Sequence, residues 1–409
     1  MNKGQGLFKN SFFRENIAVL AVSSAFTNLG AGVISIFMPE FFRRLGGNTI
    51  VFGLIGFLIF VIQFFTLLLG GFIADHYGRR KILVLTAFYG ALFPLLYAVV
   101  QDWRFLAAVL VVAAIGSISS PASHAIIADS IPPEKRATGI SALQVFSSLP
   151  LVVIPLVWGW LIDNLGWIEG FRIGCIYSIA TALASAFIFL FFLRETMGTQ
   201  PKETLSSQNL NLWSSFSEVR HSLSTSLKGL MVAYCLIMFA NAAVGQYYII
   251  YATEVIKLTA FEWSIILSLQ FLSAIVLKIP GSWVADKFGK KKVLVISALA
   301  CAPFSILFTF SHSFIQVLIV MLLLVVAGIY YAPVHEALQA DLTPRLVRGR
   351  IAMLWIMGSF LASAIGVFVG GLLFHTVSPE TPFYLFTSAE LVAVFLLVIV
   401  VKEPLKKEV

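Results

Sequence analysis

The stretch "GGFIADHYGRRK" at residues 70–81 decides the fold of this chain. An apolar run ends there in a single acidic residue, Asp75, and the chain then turns through Gly78 into three positive charges. Nearly the same phrase, "GSWVADKFGKKK", returns 211 positions later at residues 281–292. A phrase repeated at this spacing predicts that the two halves of the chain share one structural plan.

The composition indicates that most of this protein is surrounded by lipid. Of its 409 residues, 59% are hydrophobic and only 12% are charged, whereas a soluble domain carries roughly 25% charged residues. Cys175, Cys235 and Cys301 all lie inside apolar runs and show no metal-ligand spacing. We therefore interpret the three cysteines as small core residues and predict no metal site.

Twelve apolar runs are long enough to cross a bilayer, since a helix needs about 20 residues to span a ~30 Å hydrocarbon core. Six of these runs lie between residues 17 and 193, and six lie between residues 229 and 401. Every backbone N–H group in lipid needs a partner within its own segment. The sequence therefore predicts an all-α membrane protein with 12 transmembrane helices.

One long polar segment, rich in Ser, Thr, Asn and Gln, separates the first six runs from the last six. It predicts an N-terminal six-helix bundle at 1–193, a cytoplasmic central loop at 194–227 and a C-terminal six-helix bundle at 228–409. Because six is an even number, the two pseudo-symmetric bundles cross the membrane in the same orientation. Substrate sites of such repeats form near the bilayer midplane, where the repeats meet.

The basic residues predict the orientation of the chain. Lys and Arg mark cytoplasmic loops, and of the 28 in this sequence, 22 fall on the side that carries both termini. We predict a multi-pass protein of the cell membrane with cytoplasmic N- and C-termini. We also expect the net charge of +8 to reflect this orientation and contact with anionic lipid, not nucleic acid. The predicted partners are the lipid bilayer and a small-molecule substrate, and the predicted state is a monomer.

The repeat extends beyond the opening phrase. "GSISSPASHAIIADSIPPEKR" at 116–136 matches "GIYYAPVHEALQADLTPRLVR" at 328–348 with a shift of 212. Both segments close an apolar run with Asp and follow it with Arg, and an acidic group at a helix C-terminus is unfavourable by ~0.3–1 kcal/mol. These charges either mark the lipid boundary or form an ionic latch between helices that closes the cytoplasmic side. The corresponding pairs are Asp75 with Asp286, Gly78 with Gly289, Asp129 with Asp341, and Arg136 with Arg348.

The phrase "GFIADHYGRR" resembles the signature G-x-L-a-D-r-x-G-R-[KR] between the second and third spans of the major facilitator superfamily. Together with twelve spans in a six-plus-six repeat, it makes the chain most similar to the 12-helix drug/proton antiporters of that family. The resemblance implies two bundles that rock around a central cavity. It also implies gating or motif roles for Asp75, Gly78, Arg79, Arg80, Asp129, Arg136, Asp286, Gly289, Asp341 and Arg348.

One signature of the proton-driven exporters differs here. Those exporters carry an Arg four positions before the Gly of span four, where this sequence has Val112 before Gly116. The difference removes a residue that is often tied to proton transfer in that family.

Spans one and seven line the cavity in this superfamily, and both carry polar stripes here. The residues of these stripes either contact the substrate or only pack against neighbouring helices. If they line a cavity, its aromatic wall with few charges suits a lipophilic or amphipathic solute. The proposed substrate contacts are Asn28, Ser35, Asn241, Gln246, Tyr248 and Tyr251.

Ionisable residues inside the apolar runs are candidates for coupling, since a charge at the bilayer centre costs ~2.5–3.5 kcal/mol or more. His124 and Glu336 correspond at the shift of 212, and each precedes its Asp by five residues. The alternatives are an ion pair of Glu336 with Arg345 or Arg348, and a helix-to-helix hydrogen bond of His124.

The leading functional hypothesis is a secondary active transporter that moves small organic, lipophilic or amphipathic solutes by alternating access, with proton-coupled efflux. An uptake symporter or facilitator for a polar metabolite is the alternative, followed by a membrane receptor that does not transport. The sequence has no G-x-x-x-x-G-K-[ST] nucleotide loop and no nucleophile–base arrangement. We therefore expect no enzyme activity and no cofactor, with a proton or ion gradient as the source of energy.

Overall fold

A computed structural model describes residues 16–131, 136–196, 224–278, 287–343 and 348–402. Within these ranges, twelve helices are long and apolar enough to cross a membrane. The first six are α1 (Asn16–Arg44), α2 (Thr49–Tyr77), α3 (Arg79–Val99), α4 (Trp103–Ser130), α5 (Gly139–Leu165) and α6 (Trp167–Phe192). The last six are α7 (Thr225–Glu254), α8 (Ala260–Leu277), α9 (Lys290–Thr309), α10 (Phe314–Leu342), α11 (Ile351–Thr376) and α12 (Thr381–Ile399).

The predicted all-α membrane fold with twelve spans is thereby confirmed. Several sequence predictions lie outside the described residues. Asp286 is among these, and so is most of the predicted central loop at 194–227. Arg136 and Arg348 begin helical segments that continue into α5 and α11, but their side chains are not described.

Two corresponding helices are interrupted at corresponding places. In α4 the α-helix tightens into a 3₁₀ stretch at Ala114–Ser119, and α10 is broken between Gly328 and Tyr331. Pro121 and Pro333 follow these breaks at the repeat shift of 212. Proline lacks an N–H group and its ring clashes with the carbonyl four residues earlier, so both prolines favour an interruption.

The chain forms two compact units, of which the first comprises residues 1–46 and 65–199. Small and hydroxyl side chains let its helices α1 and α6 pack closely. The hydroxyl of Ser178 donates to the Gly30 carbonyl at 2.9 Å, and the hydroxyls of Ser23 and Ser185 lie 2.6 Å apart. At the end of this unit, the Asn16 side chain donates to the Arg194 carbonyl at 3.0 Å and accepts from the Arg194 N–H at 2.8 Å.

The second unit comprises residues 47–64 and 200–409, so it includes the first half of α2. In α11, Gly366 and Gly370 bring its backbone against the backbone of α7, and a Cβ atom at either position would clash with an α7 carbonyl. Two small residues spaced by four are a common helix-packing device in membranes. At the end of this unit, the Lys402 N–H donates to the Ser226 hydroxyl at 3.1 Å.

Glycine also brings α2 close to α11 within the second unit. A Cβ atom added to Gly53 would lie 2.9 Å from the Val367 carbonyl oxygen and 3.2 Å from the Cα atom of Phe368. The hydroxyl of Thr49 donates to the Gly371 carbonyl at 3.2 Å. The two backbones can approach this closely because Gly53 and Gly371 have no side chain.

Candidate functional site

The two signature turns depend on glycine. Gly78 has a φ of 94° and Gly289 has a φ of 88°, in a region of conformational space that L-residues with a side chain rarely adopt. Each glycine ends one helical segment and immediately starts the next. Each turn therefore places a basic residue at the first position of the next helix, Arg79 in α3 and Lys290 in α9.

In the first unit, Arg79 forms ion pairs with the acidic residues at the ends of two other helices. Its guanidinium donates to the carboxylate of Asp129 at the end of α4 and lies 3.7 Å from the carboxylate of Asp75 in α2. Asp129 opposes the dipole of its own helix, and Arg79 supplies the compensating cation. The structure thus brings together three of the residues assigned to gating.

The second unit repeats this ion pair with lysine. The Lys290 ammonium group lies 2.5 Å from the carboxylate of Asp341. Lys290 corresponds to Arg79 at the shift of 211, and Asp341 corresponds to Asp129 at the shift of 212. Lys290 was not among the predicted site residues, although its alignment with Arg79 was a signal for it.

The next basic residue in each turn has a different role. The Arg80 guanidinium donates to the Leu190 carbonyl at 2.7 Å, in the last turn of α6. Lys291 likewise donates to the Val398 carbonyl at 2.9 Å, in the last turn of α12. A cation at a helix C-terminus satisfies free carbonyls and complements the helix dipole. The turn therefore joins α3 to both α4 and α6, and joins α9 to both α10 and α12.

The predicted substrate contacts of the first unit lie on α1. The side-chain amide of Asn28 donates to the Ser147 carbonyl at 2.7 Å, next to the interruption of α5 before Pro150. Ser35 is exposed. Asn28 is thus occupied by a helix-to-helix hydrogen bond, and a substrate contact at either residue remains a prediction.

The predicted contacts of the second unit separate into two environments. Asn241 and Gln246 are exposed on α7, whereas Tyr248 and Tyr251 are buried. The Tyr251 hydroxyl donates to the Thr309 carbonyl at 3.0 Å, and its ring packs among other aromatic rings. The structure therefore gives Tyr251 a packing role, and its contact with substrate remains a prediction.

Each unit contains a cavity lined by corresponding helices. The cavity of the first unit has a volume of about 350 Å³ and lies among α1, α3, α4 and α6. The cavity of the second unit has a volume of about 290 Å³ and lies among α7, α9, α10 and α12. Asn241 and Tyr248 line the second cavity, which places these two predicted residues at a common site.

Glu390, on α12, lines the same cavity and was missed by sequence reasoning. Its residue surface is 3% exposed, and its Oε2 atom has no hydrogen-bond partner among the described residues. A signal was available, because Glu390 is the one charged residue in the apolar run at 381–401. An ionisable residue inside a membrane span indicates a functional site by default.

The family comparison agrees with this geometry. The family model described as Major Facilitator Superfamily matches residues 20–265 and 230–409 of this chain. The chain belongs to the major facilitator superfamily. Its duplicated signature turns are therefore those of a transporter family, as their resemblance implied.

The proteins that this chain resembles have names that point to different functions. The multidrug resistance protein MdtG of Klebsiella pneumoniae is 23% identical over 350 residues, covering 83% of this chain and 82% of that protein. The putative niacin/nicotinamide transporter NiaP of Bacillus subtilis is also 23% identical, over 353 residues and 83% of each chain. The crystal structure of the nucleoside transporter NupG has a TM-score of 0.75 at 14% identity, covering 94% of this chain and 100% of that one.

The coupling candidates of this superfamily member lie on the surfaces of their own units. His124 and Glu336 are both exposed, so their predicted coupling role remains a prediction. The neighbouring His335 is buried, and its ring stacks on Tyr234 with centroids 4.2 Å apart. Within the described ranges, no group of three or more His, Cys, Asp and Glu residues is placed to hold a metal ion.

Proposed function

We propose that this superfamily member is a secondary active transporter that exports small organic, lipophilic or amphipathic solutes by alternating access, in exchange for protons. The observation that carries this proposal is the cavity of the second unit. Its wall is mostly apolar, with Ile237, Met238 and Phe386 among its residues, and it contains one carboxyl group, that of Glu390. A pocket of this kind suits a solute with a large apolar surface and few polar groups.

The direction of transport and the energy source have separate support. The similarity to a multidrug resistance protein at 23% identity supports export. The sequence lacks a nucleotide loop, which supports a proton or ion gradient as the driving force. We also propose a monomer in the cell membrane with cytoplasmic termini, no cofactor and no covalent chemistry. The distribution of basic residues supports this orientation.

Uptake of a polar metabolite is the second candidate function. The niacin/nicotinamide transporter is as similar to this chain as the multidrug resistance protein, at 23% identity. A polar side also exists in the second cavity, where Asn241 and Glu390 are both lining residues. A small polar solute could be held there by hydrogen bonds.

Proteoliposomes with an acidic lumen separate the two candidates. Ethidium is a suitable first probe, because its permanent charge prevents simple trapping by protonation, and DNA enclosed in the vesicles reports its entry by fluorescence. Export in exchange for protons predicts ethidium accumulation that depends on the pH gradient and stops when nigericin dissipates that gradient. Vesicles without protein are the control.

Two results would contradict the proposed export. The first is ethidium entry that does not depend on the pH gradient. The second is accumulation of nicotinate, but not ethidium, above the level in vesicles without protein when the external medium is the acidic side, since this excess indicates uptake together with protons. A thermal-shift screen of lipophilic cations and small metabolites would identify further solutes, because a bound ligand raises the melting temperature.

A further inference from the structure

Glu390 lies in an environment that does not accommodate a bare carboxylate. The residue is 3% exposed, and Oε2 finds no hydrogen-bond partner in the described part of the chain. Within the same ranges, no Lys or Arg forms an ion pair with it. A buried carboxylate without a cation costs several kcal/mol. Because the described part of the chain supplies no cation, we expect Glu390 to hold a proton or to receive a cation that enters the cavity.

The side chains around Glu390 do not supply that cation. The titratable groups that face it are the phenol of Tyr248 on α7, the thiol of Cys301 on α9 and the phenol of Tyr331 on α10. Phenols and thiols lose a proton or stay neutral, so none of these groups can become positive. The Tyr331 hydroxyl also has no hydrogen-bond partner among the described residues.

The basic groups in the described parts of the helices that contact α12 lie near the ends of those helices, whereas Glu390 lies midway along α12. They are Lys228 in the first turn of α7, Lys290, Lys291 and Lys292 in the first turn of α9, and His375 in the last turn of α11. Lys291 of α9 donates to the Val398 carbonyl, eight residues or roughly 12 Å along α12 from Glu390. His335 of α10 stacks between Tyr234 and Trp355. Neither group is placed to neutralise the carboxylate.

The repeat pairs this carboxyl group with an alanine in the first unit. Arg194 and Glu195 after α6 correspond to Lys402 and Glu403 after α12, a shift of 208 positions. At that shift Glu390 corresponds to Ala182, which lines the cavity of the first unit. Both units fold around a cavity of similar size, but only the second has an acidic group at this position. We expect a residue that one unit can replace with alanine to serve a function other than packing.

We propose that the carboxyl group of Glu390 is the proton-binding site of the second unit and that it is loaded and discharged once in each transport cycle. This inference rests on the proposed proton-coupled export. The proton comes from water on the outer side, binds a carboxylate oxygen of Glu390 and returns to water on the cytoplasmic side. The mostly apolar wall of the same cavity holds the solute, and a positively charged solute bound there favours release of the proton.

The first experiment detects the carboxyl group without transport. Dicyclohexylcarbodiimide reacts with protonated carboxyl groups in apolar surroundings, and peptide mass spectrometry locates the product. We expect labelling of Glu390 in the full-length protein, with a several-fold decrease as pH rises and protection by ethidium. Glu40 is the internal reference, since it is fully buried but its carboxylate is paired with Arg44 at 2.7 Å. Absence of label at Glu390 across the pH range would overturn the inference.

The second experiment separates proton coupling from solute binding. Glu390→Gln keeps the size of the side chain but cannot take up a proton. We expect ethidium accumulation driven by a pH gradient to fall to the level of vesicles without protein, while ethidium counterflow at equal pH is retained. Glu390→Asp, which restores a carboxyl group, should recover part of the accumulation. Glu169→Gln is the matched control, because Glu169 is an exposed carboxylate paired with Arg172.

The possible results have different meanings. Full gradient-driven accumulation by Glu390→Gln would refute the proton-binding role. Loss of counterflow together with accumulation, in a variant that melts like the wild type, would show that Glu390 holds the solute and would also refute it. If the wild type moves no ethidium in any gradient, the proposed function fails, and the carbodiimide labelling still decides whether Glu390 takes up a proton.

Discussion

Gly53 offers a direct test of the close contact between α2 and α11. In Gly53→Ala, the new methyl group would lie 2.9 Å from the Val367 carbonyl oxygen, 3.0 Å from the Tyr247 hydroxyl and 3.2 Å from the Phe368 Cα atom. Carbon atoms are best separated by ~3.5–4.0 Å. Two of these three atoms belong to the α11 backbone, which cannot rotate away. The helices must therefore separate by a few tenths of an ångström.

The size of the effect follows from this overlap. Overpacking a close contact typically costs ~1–3 kcal/mol. Two states are compared: one in which α2 touches α11 at Gly53, and a separated state in which it does not. The gain in helix propensity from Gly to Ala, ~0.8–1 kcal/mol, is the same in both states, so it does not change their relative populations. A cost of ~1–3 kcal/mol corresponds to a 5- to 150-fold change in their populations. Gly53→Ala should therefore populate the separated state about 5- to 150-fold more than the wild type does.

Cysteine labelling measures this population. Phe57 lies on the contact side of α2, with its ring centroid 6.4 Å from that of Phe368, so a cysteine at position 57 reports separation. In a background without the native cysteines, Phe57→Cys should react faster with a water-soluble maleimide when Gly53→Ala is present. The matched control is Gly71→Ala on the same helix, where a Cβ atom would meet nothing within 4 Å. Equal labelling rates in the two variants would show that the contact does not limit the separation.

Four further outcomes are expected. Arg79→Gln should lower the free energy of unfolding by no more than about 1 kcal/mol, because the ion pairs are partly exposed. A larger loss of unfolding free energy would show that these ion pairs are a major source of stability. Gly78→Ala should cost ~1–3 kcal/mol, because its φ of 94° and ψ of 135° lie in a region that residues with a side chain rarely adopt, and an unchanged melting temperature would contradict this account. Tyr251→Phe should cost ~0.5–1.5 kcal/mol for the hydrogen bond to Thr309 without changing ethidium affinity; a weakened affinity would place Tyr251 at the solute. Glu336→Gln should abolish ethidium-dependent proton flux if Glu336 couples transport, and unchanged flux would remove it from the mechanism.

The twelve spans and the repeat were predictable because bilayer thickness fixes helix length, and the duplicated turns preserve residue type. For the two ion pairs, the sequence predicted that a cation lies near each Asp but not which residue supplies it. The dipole argument required a cation near Asp129, but the identity of that cation depends on which helix lies alongside. The structure shows that Arg79 fills this role in the first unit and that Lys290 fills it in the second.

Two features of the second unit were not predicted from the sequence. α7 is interrupted at Gln246, so Asn241 before the break is exposed and Tyr248 after it is buried, although both line the same cavity. Glu390 was not predicted because the coupling candidates, His124 and Glu336, are residues that correspond between the halves, whereas the counterpart of Glu390 is Ala182.

The hydrogen bonds at the ends of each unit have a practical consequence. Asn16 forms hydrogen bonds with the backbone of Arg194, and Ser226 accepts a hydrogen bond from the backbone of Lys402. In each half, the start of the first helix is therefore bonded to the end of the last. Neither half relies on the connecting segment to place its ends, and domains whose ends meet tolerate being cut or reordered. The two halves, made as separate polypeptides in one cell, should therefore reassemble without a covalent linker.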